Sequence, residues 1–298
     1  MADRHLAPGP ALLPVLVMLA VTALWGWTFV VVKDAISQYP AISFLAARFL
    51  LAAALMAVFA MRRLGDARLG LVIGGLLAVG YLAQTYGLTT VPASTAGLLT
   101  GMFVVFTPLC DRAFFGVATR RATLVAVAVS LAGMVAVTYG GSLRTGELLG
   151  DGLLVLCALA FAAHISFLSR YSPHHSTLGL AGWQMMACAL VFGAGALGTS
   201  SVSAPPRAIL PALLITGVGA SAVAFLAQTY VQRRLDASRA ALLLTAEPAF
   251  ALLFGVVLAH DRLTPLRVCG AVLILGALAG HEAAVQSRTL ELAPTGGP

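Results

Sequence analysis

Runs of about 20 apolar residues follow one another along almost the whole chain, separated by short polar segments. A helix needs about 20 apolar residues to cross the hydrocarbon core of a bilayer. Only 10% of the 298 residues are charged, whereas a soluble domain has about 25%. The sequence therefore predicts an all-α polytopic membrane protein. Its ten predicted transmembrane helices span residues 11–32, 40–61, 69–89, 93–115, 122–140, 148–169, 177–198, 208–231, 238–260 and 265–280.

One segment of the chain occurs twice. Residues 82–86, Leu-Ala-Gln-Thr-Tyr, recur letter for letter at 226–230. Each copy follows an aromatic residue, Tyr81 in the first and Phe225 in the second. Further identities continue at the same offset as far as position 106. The pattern indicates an internal duplication.

The helix count sets the topology of this duplication. The polar segment 141–147 is the best candidate boundary and leaves five predicted helices on each side. Because five is odd, the second copy of the unit must insert upside down. Many secondary transporters have such inverted repeats and place their site at the repeat interface near the bilayer midplane. We expect a first repeat at 11–141, a second at 148–281 and a disordered cytoplasmic tail at 282–298.

The basic residues orient the chain. With a cytoplasmic N-terminus, twelve of them fall in inside segments and five in outside loops, and Arg48 lies within a helix. This asymmetry satisfies the positive-inside rule and predicts that both termini are cytoplasmic. The first apolar run is longer than a signal-peptide core and has no A-x-A cleavage site, so we expect it to remain as a helix. The expected location is the inner (plasma) membrane, as a multi-pass protein.

Composition and motifs exclude several functions. The net charge of +7 comes from basic residues in the gaps between apolar runs, which is typical of a membrane protein and does not indicate a nucleic-acid partner. The four cysteines show no C-x-x-C spacing, so neither disulfides nor a metal site is expected. Walker, H-E-x-x-H and G-x-S-x-G motifs are absent from the sequence. We expect no cofactor, and a small solute and the bilayer as partners; the oligomeric state stays open.

Two charged residues fall inside predicted helices, where an ionisable side chain costs about 2.5–3.5 kcal/mol on insertion scales and is a functional candidate. Arg48 lies about 12 Å along the second helix, at 1.5 Å per residue. It either faces a central cavity and holds a substrate carboxylate, or snorkels to the outer face. Glu247 lies near the middle of the ninth helix and precedes Pro248, which removes a backbone hydrogen bond. It is either a substrate and proton-coupling residue or a buried structural acid.

Polar residues on other helices complete the candidate site. Gln84 and Gln228 are related by the duplication, and either bind substrate from two sides of one axis or join helices by hydrogen bonds. Trp25 and Thr28 belong to an aromatic and hydroxyl stripe that suits an amphipathic solute, although Trp25 could instead be an interfacial anchor. His164, the counterpart of Thr28, could carry protons or be structural. The candidate substrate-binding residues are Trp25, Thr28, Arg48, Gln84, Gln228 and Glu247, and Glu247 is also the proton-coupling candidate.

Three short motifs resemble those of a known family. They are Trp-Gly at 25–26 with Phe29 and Lys33, Phe-Leu-Ala-Ala-Arg-Phe at 44–49, and Glu-Pro-Ala-Phe-Ala-Leu-Leu at 247–253. In this order they resemble EamA-type transporters of the drug/metabolite transporter superfamily. The resemblance covers nearly the whole chain. It implies ten helices in two inverted EamA repeats, cytoplasmic termini and export of amino acids or related small metabolites.

The chain departs from the family pattern at two places. Phe103 and Val104 stand where the second half has Glu247 and Pro248, and Ala-His-Asp at 259–261 stands where the family often has Gly-Glu before the last helix. We expect a non-enzymatic secondary transporter that exports amino acids or related small metabolites by alternating access. The alternative is an intramembrane enzyme acting on a lipid-linked substrate. It would need clustered His, Asp or Glu at a membrane face, which the sequence does not show.

Overall fold

A computed structural model describes residues 12–118, 121–139, 145–232, 243–244 and 246–291 of the chain, and this described part is built from helices. Pro40 and Pro92 occupy the N-cap positions of α2 and α4, and Gly116, with φ of 69°, ends α5. The α-helices are α1 (Leu12–Gln38), α2 (Ala41–Met61), α3 (Ala67–Gly87), α4 (Ala93–Thr100), α5 (Phe103–Phe115), α6 (Arg121–Tyr139), α7 (Thr145–Tyr171), α8 (Thr177–Gly198), α9 (Leu210–Leu213), α10 (Ala224–Gln232), α11 (Ala246–Leu258) and α12 (Pro265–Glu291).

Seven helical segments in the described residues are long and apolar enough to cross a membrane. Shorter apolar helices cover Leu124–Val137, Ala246–Leu258 and Pro265–Gly280. The predicted all-helical, multi-pass class is therefore confirmed. The exact number of ten transmembrane helices stays a prediction, because residues 233–242, which include the start of the ninth predicted helix, lie outside the described part.

Four helices differ from their predicted form. The first continues past its predicted end at residue 32 to Gln38. The fourth is broken into α4 and α5 at residues 101–102. The eighth contains a π-helical stretch, Leu214–Val223, between α9 and α10; such wider turns are rare and often occur at functional sites. The last helix continues past its predicted end to Glu291. Of the predicted disordered tail, residues 282–291 are helical, and 292–298 lie outside the described residues.

Several helices of the first half pack closely against helices of the second half. α2 packs against α8, α6 against α12, α3 against both α7 and α8, and α11 against both α1 and α4. Small residues allow these close approaches, since a Cβ added at Gly74 of α3 would lie 2.6 Å from Cβ of Ala187 on α8. Buried apolar side chains from both halves form one continuous core. The candidate site lies within this core.

Candidate solute-binding site

A small cavity of about 40 Å³ lies between the helices of the bundle. Its wall is mostly aromatic and aliphatic, with a few polar side chains. The lining residues come from α1, α3, α5, α7, α10 and α11, together with Leu244. They are Trp25, Thr28, Phe29, Leu77, Tyr81, Gln84, Phe103, Phe161, His164, Ile165, Phe225, Gln228, Leu244 and Glu247.

Most of this wall consists of residues paired by the duplication. Three residues of α1 and three of α7 form pairs that are 136 positions apart, and three further pairs are 144 positions apart. The pairs are Trp25 with Phe161, Thr28 with His164, Phe29 with Ile165, Tyr81 with Phe225, Gln84 with Gln228, and Phe103 with Glu247. Both halves of the chain therefore contribute equivalent positions to one cavity.

Trp25 and Thr28 line the cavity from α1, where their spacing of three places them on one helix face. The indole Nε1–H of Trp25 donates to the carbonyl of Ala220 at 2.9 Å. The hydroxyl of Thr28 donates to the carbonyl of Trp25 at 2.7 Å. Trp25 is thus fixed inside the bundle by the π-helical stretch of the other half, a contact that an interfacial anchor would not make.

Gln84 and Gln228 lie in the cavity wall, each three residues after the aromatic residue that precedes the repeated pentapeptide. The side chain of Gln228 is 2% exposed, and its Oε1 atom has no hydrogen-bond partner among the described residues. A buried acceptor without a donor costs free energy, about 1–3 kcal/mol. A solute that donates a hydrogen bond there would remove this cost.

Glu247 is 6% exposed and lies in the first turn of α11. Phe103, its counterpart, begins α5 directly after the break in the fourth helix. The two helix starts touch, because a Cβ added at Gly101 would lie 2.6 Å from Cγ of Pro248. In the described part of the chain, no ion pair joins Glu247 to a basic side chain. Glu247 and Arg48 therefore form no ion pair in this structure.

Arg48 is 2% exposed but lies outside the cavity wall, behind Tyr81. Its Nε donates to Oγ of Ser221 at 2.9 Å, and its Nη2 donates to the Tyr81 hydroxyl at 3.3 Å. The guanidinium carbon lies 4.6 Å from the Tyr81 ring centroid and 5.1 Å from that of Phe49. The structure thus brings five of the six candidate residues together in the cavity wall. Arg48 is not among them, because its contacts with Ser221, Tyr81 and Phe49 hold its guanidinium group outside the wall.

Apart from Trp25, the aromatic residues of the wall were not among the candidates selected from the sequence. Tyr81 packs edge-on against Phe161 at 5.3 Å between ring centroids, and Trp25 lies 5.4 Å from Phe225. The duplication carried the necessary signal, since Tyr81 and Phe225 precede its two copies. His164 also lines the cavity, with Nε2 2.7 Å from Oε1 of Gln184. Because an amide oxygen only accepts, Nε2 is the donor in this bond.

A cluster of hydrogen bonds lies one helical turn beyond the cavity along α1. Nζ of Lys33 donates to the carbonyls of Leu88 and Val91, at 2.9 and 2.6 Å. Oδ2 of Asp261 accepts from the backbone N–H of Ser94 at 2.8 Å, and its charge also attracts Lys33. This five-residue clasp joins α1, the α3–α4 connection, the first turn of α4 and the turn before α12.

Apolar helices that surround a largely apolar cavity with a few polar groups are typical of multi-pass membrane proteins that bind small solutes. Residues 12–139 and 148–280 each match the EamA-like transporter family, and the chain belongs to that family. It is the family that the three sequence motifs resemble.

Two comparisons extend this assignment. A protein of Archaeoglobus fulgidus, named an uncharacterized transporter, is 32% identical over 191 residues. The match covers 64% of this chain and 61% of the relative, so this chain spans less than two thirds of the relative's length. A solved crystal structure, titled only as that of a protein, shares the fold. It has a TM-score of 0.67 at 19% identity and covers 95% of this chain and 100% of that one.

Proposed function

We propose that the protein is a secondary transporter that exports amino acids or related small metabolites across the inner membrane by alternating access. The observation that carries this proposal is the pairing of cavity residues across the duplication, such as Gln84 with Gln228 and Tyr81 with Phe225. A site on a pseudo-symmetry axis can be reached from either side when the two halves exchange conformations.

The proposed architecture is two five-helix repeats of opposite orientation, at 11–141 and 148–281, with both termini in the cytoplasm. The family match to each half separately supports these two units. The clasp of Lys33 and Asp261 would close the outer end of the cavity in this orientation. Alternating access then requires the clasp to open while the cytoplasmic end closes.

The proposed roles follow from the wall. Trp25 and its aromatic neighbours contact the apolar part of the solute, and Gln84 and Gln228 bind its polar groups. Glu247 binds a positive group or carries the coupling proton, as carboxylates do in many transporters. Arg48 holds Tyr81 in place and does not touch the solute. Membership of a transporter family favours this function over an intramembrane enzyme.

The test is a solute screen with the purified protein in liposomes, with and without a pH gradient. At least one small amphipathic metabolite should move faster than in protein-free liposomes. Gln84→Leu and Gln228→Leu should each reduce this transport about tenfold while the protein stays folded, because each removes a polar group from the wall. Gln38→Leu, at an exposed position near the end of α1, is the matched control and should transport normally.

Two results would contradict the proposal. Full activity in both cavity variants would show that the solute passes elsewhere. Failure of every solute in a broad screen, with intact and oriented protein, would show that the chain is not a transporter of small metabolites.

A further inference from the structure

Among the described residues, the cavity wall contains a negative group but no Lys or Arg to balance it. Glu247 is the one lining residue with an acidic side chain, and no Lys or Arg is among the lining residues that the structure describes. Arg48, the buried cation on α2, donates to Ser221 and Tyr81 and is not among the lining residues. An anionic solute would therefore meet a carboxyl group without a compensating cation.

Hydrogen-bonding groups in the wall also favour a solute that donates hydrogen bonds. The N–H of Trp25 and the O–H of Thr28 already donate to backbone carbonyls. Oε1 of Gln228 is buried and has no donor among the described residues, and the carboxyl oxygens of Glu247 add further acceptors. Oε1 of Gln228 and the carboxyl oxygens of Glu247 can therefore accept hydrogen bonds from a solute.

Aromatic rings supply the rest of the wall. Tyr81 lies 6.1 Å from Phe225 between ring centroids, and Phe225 lies 5.4 Å from Trp25, so the three rings form one continuous surface. Phe103 and Phe161 extend it. Aromatic faces attract cations, by about 0.5–2 kcal/mol, and also bury apolar groups.

We infer that the solute is an amphipathic amine: a cationic nitrogen with N–H groups, bound by Glu247 and Oε1 of Gln228, attached to an aromatic or apolar body that packs on Trp25, Tyr81 and Phe225. The inference rests on the proposed transport function and narrows it. Within amino acids and related metabolites, it selects the amines and disfavours the carboxylates, because a buried carboxylate without a cation is strongly destabilised.

The experiment uses three probes with the same indole body: tryptamine, tryptophan and 3-indolepropionate. Binding of radiolabelled tryptamine to the purified full-length protein in nanodiscs is measured, and the other two compete with it. Exchange of the same probe is then measured in liposomes, relative to protein-free liposomes. We expect tryptamine to bind at least tenfold more tightly than 3-indolepropionate, with tryptophan between them.

Two variants separate the carboxyl group of Glu247 from a general loss of charge. Glu247→Gln should weaken tryptamine binding at least tenfold and reduce the difference between amine and carboxylate. Asp34→Asn removes a carboxylate from an exposed position of α1, outside the cavity wall, and should leave both affinities unchanged.

The outcomes distinguish this inference from the function on which it rests. Equal or tighter binding of 3-indolepropionate, or unchanged tryptamine binding in Glu247→Gln, would overturn the amine assignment. So would transport of other solutes in the screen with no binding of tryptamine, and the transport function would then still stand. Absence of transport for every solute would overturn both.

Discussion

Nη2 of Arg48 donates to the hydroxyl of Tyr81 across 3.3 Å, while the guanidinium carbon lies 4.6 Å from the centre of the same ring. One side chain therefore fixes both the tip and the face of an aromatic residue that lines the cavity. The third contact, from Nε to Oγ of Ser221, ties the pair to the π-helical stretch of the other half. A buried charge thus connects the two halves behind the site.

Arg48→Lys should lower solute affinity about tenfold. Lysine carries the same charge but lacks the planar fork that donates in two directions and stacks on a ring, so Tyr81 loses its fixed position. The matched control is Arg170→Lys, whose guanidinium lies 5.8 Å from the ring centre of Phe115, away from the cavity. Concentration dependence of transport in liposomes measures the effect. An unchanged affinity in Arg48→Lys would show that Tyr81 is positioned without it.

Gly97→Ala should destabilise the protein by about 1–3 kcal/mol, the usual cost of overpacking. The added methyl group would overlap Cβ of Ala251, where α4 meets α11. Gly152→Ala on α7 is the control, since a Cβ there meets no atom within 4 Å. It should be neutral or slightly stabilising, because alanine is about 1 kcal/mol better than glycine in a helix. The thermal unfolding of the two variants is compared in one detergent. Equal stabilities would mean that α4 and α11 accommodate the added methyl group at no cost.

The sequence predicted the helical class and five of the cavity residues because apolar length, buried polarity and duplication are all local or periodic signals. It did not predict that Arg48 lies behind Tyr81, because this depends on which face of α2 meets the π-helical stretch. The break at residues 101–102 was also missed, although Gly101 marks it. Side-chain orientation and helix irregularity arise from tertiary contacts, which a single sequence does not display.

The proposed topology places residue 65 in the cytoplasm and residue 203 outside, and both positions are exposed. A cysteine introduced by Ser203→Cys should react with an impermeant thiol reagent added to intact cells. One introduced by Gly65→Cys should react only after the membrane is opened. Both variants are made with Cys269→Ser, since Cys269 is the exposed native cysteine in the described part. Labelling of the Gly65→Cys variant from outside would contradict the inverted arrangement.

Lys33→Met should open the clasp, because it leaves the carbonyls of Leu88 and Val91 without their donor. We expect a cysteine introduced in the cavity by Phe29→Cys to react several-fold faster with an impermeant reagent from the outer side when Lys33→Met is also present. Arg207→Met removes an exposed positive charge from another predicted outer loop and serves as the control. Equal rates with and without Lys33→Met would mean that the clasp does not limit access.

Glu247→Gln should abolish accumulation driven by a proton gradient and retain exchange of internal for external solute. Glutamine resembles the protonated carboxyl group in shape but cannot release a proton. If Glu247 takes up a proton on one side and releases it on the other, as intramembrane carboxyls in proton relays do, the variant loses the coupling step alone. Exchange needs only the conformational change of the loaded protein, which does not require Glu247 to release a proton. A solute whose binding survives the substitution must be chosen, so that lost affinity is not mistaken for lost coupling. Accumulation equal to that of the parent protein would leave Glu247 as a binding or structural acid, and the coupling ion would then enter at another residue.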